Sequence, residues 1–297
     1  MIDRITIYIT DVVFEDIEER LDLTPYGVTK DESFIYASKY KNIRFRYIGR
    51  RLEITGSLHK FAKGNNYELF TYDEAKEALL ELSDYTGISL ERFIVSSIEI
   101  GVNMPMKNSP VKYIKILHSY KEKKFYPMTP LKESSEIRGY RCKLSEYDIK
   151  FYDKTYEVLK SDKIITDPPN ILRYEIKLSR NQLKNLRMSK VTGKNLLSGL
   201  HKTFLKRAMN NIFNKIRFSD ISINYSKMLQ DDVKRYIFAV SNSYDRYLQY
   251  LKEFSGLKEH NKEVRRTKNF LKRITPLITG ELEIELKEKF KSEMSKI

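Results

Sequence analysis

The stretch DIKFYDKTYEVL, Asp148–Leu159, alternates apolar and polar side chains before it passes into charged residues that tolerate a helix. Because every second side chain of a strand shares a face, its apolar residues would point one way and Lys150 and Tyr152 the other. Tyr152 is therefore predicted near a strand end, with Lys154 close behind. Nearby cations favour a phenolate and hold an anionic target, so such a tyrosine can attack phosphate. An ordinary strand tyrosine is the alternative, in a chain with 21 tyrosines.

The composition is that of a globular and strongly basic chain. Its 297 residues suffice for one or two domains, and 41% of them are hydrophobic, which is typical of a folded core. The formal net charge is +15, with lysine and arginine spread along the whole sequence. Such an excess carries a self-repulsion cost and favours a polyanionic partner, most simply nucleic acid. A solvated basic surface is the alternative.

The cysteine content and the apolar runs predict a cytoplasmic protein. Cys142 is the single cysteine, so an internal disulfide is excluded and the chain suits a reducing compartment. No Cys/His spacing typical of a zinc site occurs in the sequence. The opening MIDRITIYIT lacks the apolar region of a signal peptide, and no apolar run reaches transmembrane length. We expect no membrane partner.

Period-two alternation predicts an α+β fold around a mostly antiparallel sheet. One strand begins almost at residue 1, and the others are predicted at Ser33–Ser38, Asn42–Ile48, Arg51–Thr55, Phe93–Asn103, Glu136–Lys143, Asp148–Tyr152 and Ile171–Leu178. Helices are predicted at Phe14–Leu21, at Thr71–Tyr85 and from Pro110 to about Tyr120, and Gly56–Asn66 is predicted as a loop. We expect helices on one sheet face and an open polar surface on the other.

The character of the chain changes after Ser179, where helical patterns replace strand patterns. The densest basic run is EVRRTKNFLKR, Glu263–Arg273, which contains Arg265 and Arg266 as candidate contacts for nucleic acid. We therefore predict an α+β domain at residues 1–180 and a basic helical DNA-binding or accessory region at residues 181–297.

The polar residues of the predicted central strands form a candidate site if those strands share one sheet. They are Glu53, Glu99, Lys150, Tyr152, Arg173, Glu175 and Lys177. The three cations, Lys150, Arg173 and Lys177, are also candidate contacts for DNA. Carboxylate oxygens hold a hard cation such as Mg²⁺ or Mn²⁺, and that cation polarises a phosphate and offsets charge on the leaving oxygen. Cross-strand pairing of glutamate with lysine or arginine on a solvated face is the alternative.

Five pieces, in order, resemble the filamentous-phage gene II/X-type replication initiation proteins and related rolling-circle initiators of plasmids and mobile elements. They are the opening MID with its strand, LEITGSLHKFAKGNN (52–66), VSSIEIGVN (95–103), IKFYDKTYEVL (149–159) and LRYEIKLSR (172–180). These pieces span most of residues 1 to 180, and the C-terminal third contains no matching motif.

The resemblance implies a site-specific endonuclease that nicks one strand of origin DNA. A tyrosine would form a 5′-phosphotyrosine and leave a free 3′-OH for replication by the machinery of a bacterial host. Tyr152 matches the tyrosine–x–lysine segment and is the expected nucleophile, with Lys154 as its lysine. Tyr140 is the second candidate and Tyr156 the third. The expected partners are single- and double-stranded origin DNA.

The resemblance also assigns the remaining site residues. Glu99 and Glu175 match the acidic strand positions and would hold Mg²⁺ or Mn²⁺, while Lys60 and Asn66 match the basic loop and would grip phosphate. Asn65 stands where many relatives have histidine, and its amide oxygen can coordinate magnesium but cannot act as a base near pH 7. A non-catalytic initiator that only binds and melts DNA is the rival hypothesis.

Overall fold

The computed structural model describes residues 2–128, 136–145, 147–161, 169–185, 191–219 and 228–297. The chain divides into two compact units, Met1–Phe218 with Leu286–Ile297 and Ser219–Glu285. Residues 181–218 and 286–297 therefore belong to the same unit as the strands. The predicted assignment of nicking to residues 1–180 and of DNA binding to residues 181–297 concerns function and stays a prediction.

The described strands form two antiparallel sheets. The strands are β1 (Ile2–Ile9), β2 (Thr24–Val28), β3 (Phe34–Tyr40), β4 (Ile43–Ile48), β5 (Arg51–Ser57), β6 (Ile94–Pro105), β7 (Leu117–Tyr120), β8 (Lys123–Lys124), β9 (Tyr126–Pro127), β10 (Gly139–Lys143), β11 (Tyr147–Asp153), β12 (Ile171–Ser179) and β13 (Ile216–Phe218). Ten of them form one sheet in the order β2-β3-β4-β5-β1-β6-β12-β11-β10-β9, and the other sheet has the order β13-β7-β8. The predicted α+β class is confirmed.

The described helices lie between and after the strands. They are α1 (Glu18–Leu21), α2 (Leu58–Lys63), α3 (Tyr72–Thr86), α4 (Pro110–Lys115), α5 (Lys154–Ser161), α6 (Arg180–Asn185), α7 (Gly193–Leu196), α8 (Gly199–Phe213), α9 (Gln230–Ala239), α10 (Asn242–Tyr250), α11 (Gly256–Ile278) and α12 (Glu281–Lys296), with a π-helical turn at Leu251–Ser255. Among these residues, no helix is both long and apolar enough to cross a membrane.

Local sequence signals fix α3. The Thr71 side chain accepts a hydrogen bond from the backbone N–H of Glu74, and the Glu74 carboxylate accepts one in return, which forms a capping box. Gly87 ends the helix with a φ of 69°, a left-handed conformation that glycine adopts without a steric penalty. The sequence therefore specifies where this helix begins and ends.

The apolar core lies on one face of the large sheet. Tyr174 of β12 is buried there, and its hydroxyl donates to the Met209 carbonyl of α8. The rings of Phe213 and Phe290 stack with 3.8 Å between centroids, and both contact the Tyr174 ring. Burial of such large aromatic rings is a main source of fold stability. The C-terminal part of α12 is thereby fixed to the sheet unit.

The second compact unit has an apolar cluster of its own. Its buried members are Met228, Tyr236, Phe270, Ile274 and Ile278. The last three lie on α11, where a spacing of four residues places them on one helix face. The basic residues of α11 therefore lie on the remaining, exposed surface of an amphipathic helix.

Two local predictions are wrong. The predicted loop Gly56–Asn66 contains α2, because the Ser57 side chain caps its first turn and Leu58 and Phe61 are buried. The helix predicted from Pro110 to about Tyr120 ends at Lys115. Its last residues form β7, which pairs with β13, so long-range pairing overrides the local helical pattern.

Candidate active site

Strand register places the predicted polar residues on one face of the large sheet. The directly opposed pairs are Tyr8 with Glu53, Arg4 with Glu99, Glu99 with Lys177, Glu175 with Lys150, and Arg173 with Tyr152. Opposed residues share a face, and so do alternate residues of one strand. Glu53, Glu99, Glu175 and Tyr152 therefore project to the same side of the sheet, as the alternation of the sequence predicts.

The two other candidate tyrosines lie elsewhere. Tyr140 of β10 is opposed to Phe151, which is buried in the apolar core, so Tyr140 projects from the face opposite Tyr152. Tyr156 lies on α5, and the guanidinium carbon of Arg138 is 4.2 Å from its ring centroid. Of the three candidates, Tyr152 is thus the one that shares the sheet face with the carboxylates.

Arg173 is the most connected residue of this face. Its Nε donates to Glu175 Oε1 at 3.2 Å, and its Nη1 donates to Asn103 Oδ1 at 2.9 Å and to the Asn66 carbonyl at 3.3 Å. Its Nη2 donates to Asp3 Oδ2. Burial alone would lower the pKa of Arg173, but Tyr152, Asp3 and Glu175 raise it. The guanidinium is a fixed cation that orients its neighbours.

The centre of the polar face is covered, which corrects the expectation of an open surface. Arg173 and Glu175 are 2% and 4% exposed. Asn66, from the segment between α2 and α3, places its carbonyl on Arg173, and its Oδ1 accepts from Lys154 Nζ at 2.7 Å. Buried charges require hydrogen-bonded partners of this kind, so the pairing of this cluster explains why it tolerates burial.

Asp3 belongs to the cluster although the sequence analysis missed it. Strict alternation would place Asp3 with Ile5 in the core, but a register shift between Ile2 and Arg4 turns its side chain to the polar face. Its carboxylate accepts from Ser57 Oγ and Arg173 Nη2. Burial alone would raise the pKa of Asp3, yet these partners hold it below its usual value. The one available signal was the acidic residue of the opening MID.

The backbone of β6 comes close to the Arg173 side chain at Gly101. Gly101 of β6 lies opposite Glu175, and a Cβ at Gly101 would lie 3.0 Å from Arg173 Nη2 and 3.2 Å from the Tyr174 carbonyl. A side chain at position 101 would therefore crowd the guanidinium and the neighbouring backbone, which favours glycine there.

Tyr152 lies beside two cations and is partly buried. Its ring centroid is 5.9 Å from Lys154 Nζ, and it is the cross-strand partner of Arg173. Burial raises the pKa of Tyr152 well above its ordinary value, while Arg173 acts in the opposite direction. Burial likewise lowers the pKa of Lys154, which also donates to Glu157 Oε2 at 3.0 Å. At neutral pH the resting phenol is protonated.

Lys150 lies between the two carboxylates predicted to hold a metal. Its Nζ is 3.4 Å from Glu175 Oε2 and 3.8 Å from Glu99 Oε1, and Lys177 Nζ is 3.6 Å from the same Glu99 oxygen. Burial raises the pKa of Glu175, and Arg173 and Lys150 oppose that rise. The lysine ammonium thus stands where a shared cation would bridge Glu99 and Glu175.

The structure does not bring the other two predicted metal ligands, Glu53 and Asn65, to Glu99 and Glu175. Glu53 is opposed to Tyr8, whereas Glu99 is opposed to Arg4. Tyr8 and Arg4 are four residues apart on β1, which is roughly 13 Å along the strand. The Asn65 amide donates to Glu68 Oε1 at 3.0 Å. In the described part of the chain, no group of three or more His, Cys, Asp or Glu side chains is placed to hold a metal. The predicted four-ligand set therefore does not fit a metal centre.

The predicted DNA contacts differ in exposure. Lys177 is exposed, Lys60 is half-buried on α2, and Asn66 is buried inside the cluster. Arg265 and Arg266 are exposed on α11 of the second compact unit. Lys177, Arg265 and Arg266 are thus accessible to a polyanion, whereas the Asn66 side chain is engaged with Lys154.

Comparisons with known proteins give a structural likeness at low sequence identity. No protein-family model and no curated protein matches the chain. Among solved structures, the chain is similar to a rolling circle replication initiator protein from Geobacillus stearothermophilus, with 13% sequence identity and a TM-score of 0.34. The match covers 60% of this chain and 73% of that one. A likeness at this level does not assign the chain to a family.

Proposed function

We propose that the chain is a rolling-circle replication initiator that cuts one strand of origin DNA with Tyr152. The observation that carries the proposal is the position of Tyr152 across from Arg173 and beside Lys154, on the sheet face that also bears Glu99 and Glu175. The ordered motifs that resemble the gene II/X-type initiators supply the substrate class. They and the basic charge of the chain support DNA as the partner.

The proposed step exchanges one phosphate ester for another. Tyr152 Oη attacks the scissile phosphorus, the bond from phosphorus to O3′ breaks, and the tyrosine becomes a 5′-phosphotyrosine. The departing O3′ takes up a proton and becomes a free 3′-OH. Since the resting phenol is protonated, its proton must pass to an acceptor during the attack, and the proton that O3′ takes up balances this loss.

The cations of the face have different roles in this step. Lys150 and Lys177 have side chains 18% and 47% exposed, so both can contact a phosphate that approaches from solvent. Arg173 is almost wholly buried and already donates to four groups, so it acts as a positioning residue. Fixed cations beside the transferred phosphate stabilise the charge that develops in the transition state.

A requirement for Mg²⁺ or Mn²⁺ stays a prediction. When bound, such an ion would polarise the phosphate. The predicted ligands do not converge, because Lys150 separates Glu99 from Glu175 and Glu53 lies further along the sheet. The proposed step therefore uses only side chains of the chain itself. Single- and double-stranded origin DNA and the host replication machinery are the proposed partners.

The test is a labelled-strand assay that needs no knowledge of the origin. The full chain is incubated with a randomised single-stranded oligonucleotide library and Mg²⁺ or Mn²⁺, and the products are separated under denaturing conditions. A 5′-phosphotyrosine retains the 3′ part of the cut strand, so 3′-labelled library should migrate with the protein while 5′-labelled library should not. Protein-bound label from the 5′ end alone would contradict the proposed polarity.

A non-catalytic DNA-binding initiator is the second candidate. It is favoured by the burial that raises the pKa of Tyr152 and by the internal pairing of Arg173, Asp3 and Glu175. Such a network can be purely structural. Salt-dependent binding of both labelled libraries, without covalent label under either metal, would support this candidate against nicking.

A further inference from the structure

The second compact unit carries a line of exposed aromatic rings that the proposed nicking step does not use. Tyr247 and Tyr250 of α10 and Phe254 of the π-helical turn are three and four residues apart, so they lie on one side of the helix. Tyr250 is 54% exposed and Phe254 is 74% exposed, and their rings stack with 5.1 Å between centroids. Clustered exposed apolar side chains of this kind mark a binding surface.

The line of rings continues onto α9 and reaches a basic cleft. The Phe238 ring of α9 is 5.9 Å from the Tyr247 ring, measured between centroids. Arg235 lies three residues before Phe238 on the same side of α9, and it lines a cleft together with Arg266 and Arg273 of α11. The four rings are named the aromatic stripe, and the three arginines the arginine cleft: Phe238, Tyr247, Tyr250 and Phe254, and Arg235, Arg266 and Arg273.

The arginine cleft has the charge of an anion site. The ring centroid of the buried Phe270 is 4.6 Å from the guanidinium carbon of Arg235 and 5.7 Å from that of Arg273. Two guanidiniums on one ring repel each other, and an anion that bridges them offsets the repulsion. Among the described residues of the lining, Glu263 is the one acid, and Asp232 pairs with Arg273 at 2.8 Å. Three guanidiniums thus face two carboxylates, and the cleft keeps a net positive charge.

Charge and stacking together favour a single strand of nucleic acid as the occupant of this surface. Arg246, Lys252 and Lys258 are exposed in the same segment as the rings, and residues 244–273 contain nine cations and four acids. The core of a protein–protein interface is depleted of charged residues, whereas a single-strand site combines rings for the bases with cations for the phosphates. A duplex hides the faces of its bases, so only unpaired bases can stack on the rings.

The length of the stripe agrees with this occupant. From Tyr247 to Phe254 the helix advances by roughly 10 Å, and bases along one stacked strand are about 3.4 Å apart. The exposed rings of α10 and the π-helical turn therefore match about three successive bases.

We propose that the aromatic stripe stacks unpaired bases of a DNA single strand while the arginine cleft binds its phosphates, so that the second compact unit is a single-strand binding module. Stacking on the rings needs only this unit and the DNA. That the bound strand is the one that Tyr152 cuts rests on the proposed function.

The test compares single-stranded DNA with duplex DNA of the same sequence, using fluorescence anisotropy of the full chain. Tyr250→Leu with Phe254→Leu keeps apolar side chains that suit a helix but removes two rings. It should weaken single-strand binding about tenfold and duplex binding less than about twofold, because stacking on a ring is available to unpaired bases alone. The salt dependence should not change, since no phosphate contact is lost. Tyr26→Leu with Phe34→Leu removes two exposed rings of the sheet unit and is the matched control.

Arg235→Gln with Arg266→Gln tests the arginine cleft. The magnitude of the negative slope of log affinity against log salt should fall by roughly 1.4 on single strands, because two phosphate contacts are lost. The preference for single strands over duplex should remain, since the rings are intact. Lys30→Gln with Lys39→Gln, at exposed sites of the sheet unit, controls for net charge. Equal slopes for these two double variants would overturn the role of the cleft.

Several outcomes decide against the aromatic stripe. Equal losses for single strands and duplex in Tyr250→Leu with Phe254→Leu overturn the proposal, and so does unchanged affinity for both. A second copy of the chain is the alternative occupant: a wild-type dimer in light scattering that these substitutions convert to a monomer, with single-strand affinity retained, also overturns it. If the double variant fails to fold, Phe254→Leu alone, at an exposed position, decides.

The stripe and the nicking step can fail separately. A ring-dependent preference for single strands without a covalent adduct would support the stripe while the proposed nicking fails. A covalent adduct from the wild type, with single-strand affinity that does not depend on the rings, would overturn the stripe and leave the nicking intact.

Discussion

Tyr152 and Arg173 are direct partners across the β11–β12 ladder, so the candidate nucleophile stands beside the most connected cation of the sheet. Arg173 in turn binds Asp3, which a bulge in β1 turns toward it from the start of the chain. The Arg173 guanidinium thus joins β1, β11 and β12. The candidate site depends on that arrangement of strands.

Replacement of Arg173 by methionine should unfold the cluster. The change leaves Asp3 and Glu175 buried without their cation, and a broken buried pair costs about 3–5 kcal/mol. The free energy of unfolding from denaturant titration measures the loss. Lys177→Met, on the same strand and face but exposed, should change stability by about 0.5 kcal/mol or less. Equal losses for the two variants would refute the role given to Arg173.

Removal of Lys150 should improve the binding of a divalent ion. In the wild type its ammonium lies 3.4 Å from Glu175 and 3.8 Å from Glu99, so an incoming cation must displace it. Lys150→Met leaves the two carboxylates facing each other, and we expect Mn²⁺ to bind about tenfold more tightly. Titration followed by electron paramagnetic resonance measures the affinity.

Lys143→Met is the control for that experiment, because Lys143 is exposed on the same sheet face and its loss changes the net charge equally. It should leave Mn²⁺ affinity nearly unchanged. Tighter binding of Mn²⁺ by the wild type than by Lys150→Met would show that the lysine does not occupy the cation position.

Part of this site follows from the sequence. Alternation is regular in β11, in β12 and in the part of β6 from Ser97 onward, so the shared face of Glu99, Tyr152 and Glu175 could be predicted from it. The position of Asp3 could not, because a single bulge reverses the face of a residue and leaves no mark in local composition.

The other features of the site that the sequence did not predict arise from long-range contacts. His59 was expected on a loop, but a serine cap and two buried apolar residues make that segment helical and enclose the ring. The contact of Asn66 with Arg173 joins residues far apart in the chain, so no local pattern predicts it. The place of Lys150 between two carboxylates depends on side-chain packing across three strands.

The buried imidazole should make stability depend on pH. The pKa of His59 is lowered from 6.5 to about 3 in the folded state, so the unfolded state binds more protons between these values. Stability is thus full above pH 6.5 and falls as the pH drops toward 3. Between pH 6.5 and 5 the wild type should lose about 2 kcal/mol more than His59→Phe. Denaturant titration at each pH measures this difference, and parallel profiles would contradict it.

The second compact unit should contribute electrostatic affinity for DNA. Arg265 and Arg266 are exposed on α11, so Arg265→Gln with Arg266→Gln should weaken binding of every sequence alike. The plot of log affinity against log salt should become less steep, with the magnitude of its negative slope smaller by roughly 1.5 to 2 for two lost phosphate contacts. Lys30→Gln with Lys39→Gln, at exposed sites of the sheet unit, controls for net charge. Equal slopes for both double variants would remove the special role of α11.

The most direct test of the central claim is to identify the residue that carries DNA after cleavage. The covalent product from the labelled-strand assay is digested with protease and nuclease, and the modified peptide is sequenced by mass spectrometry. Tyr152 should carry the phosphate, Tyr152→Phe should bind the library about as well as the wild type yet give no adduct, and Tyr140→Phe and Tyr156→Phe should still react. Two results would contradict this proposal. One is phosphate on Tyr140, which projects from the opposite sheet face, and the other is an undiminished adduct from Tyr152→Phe.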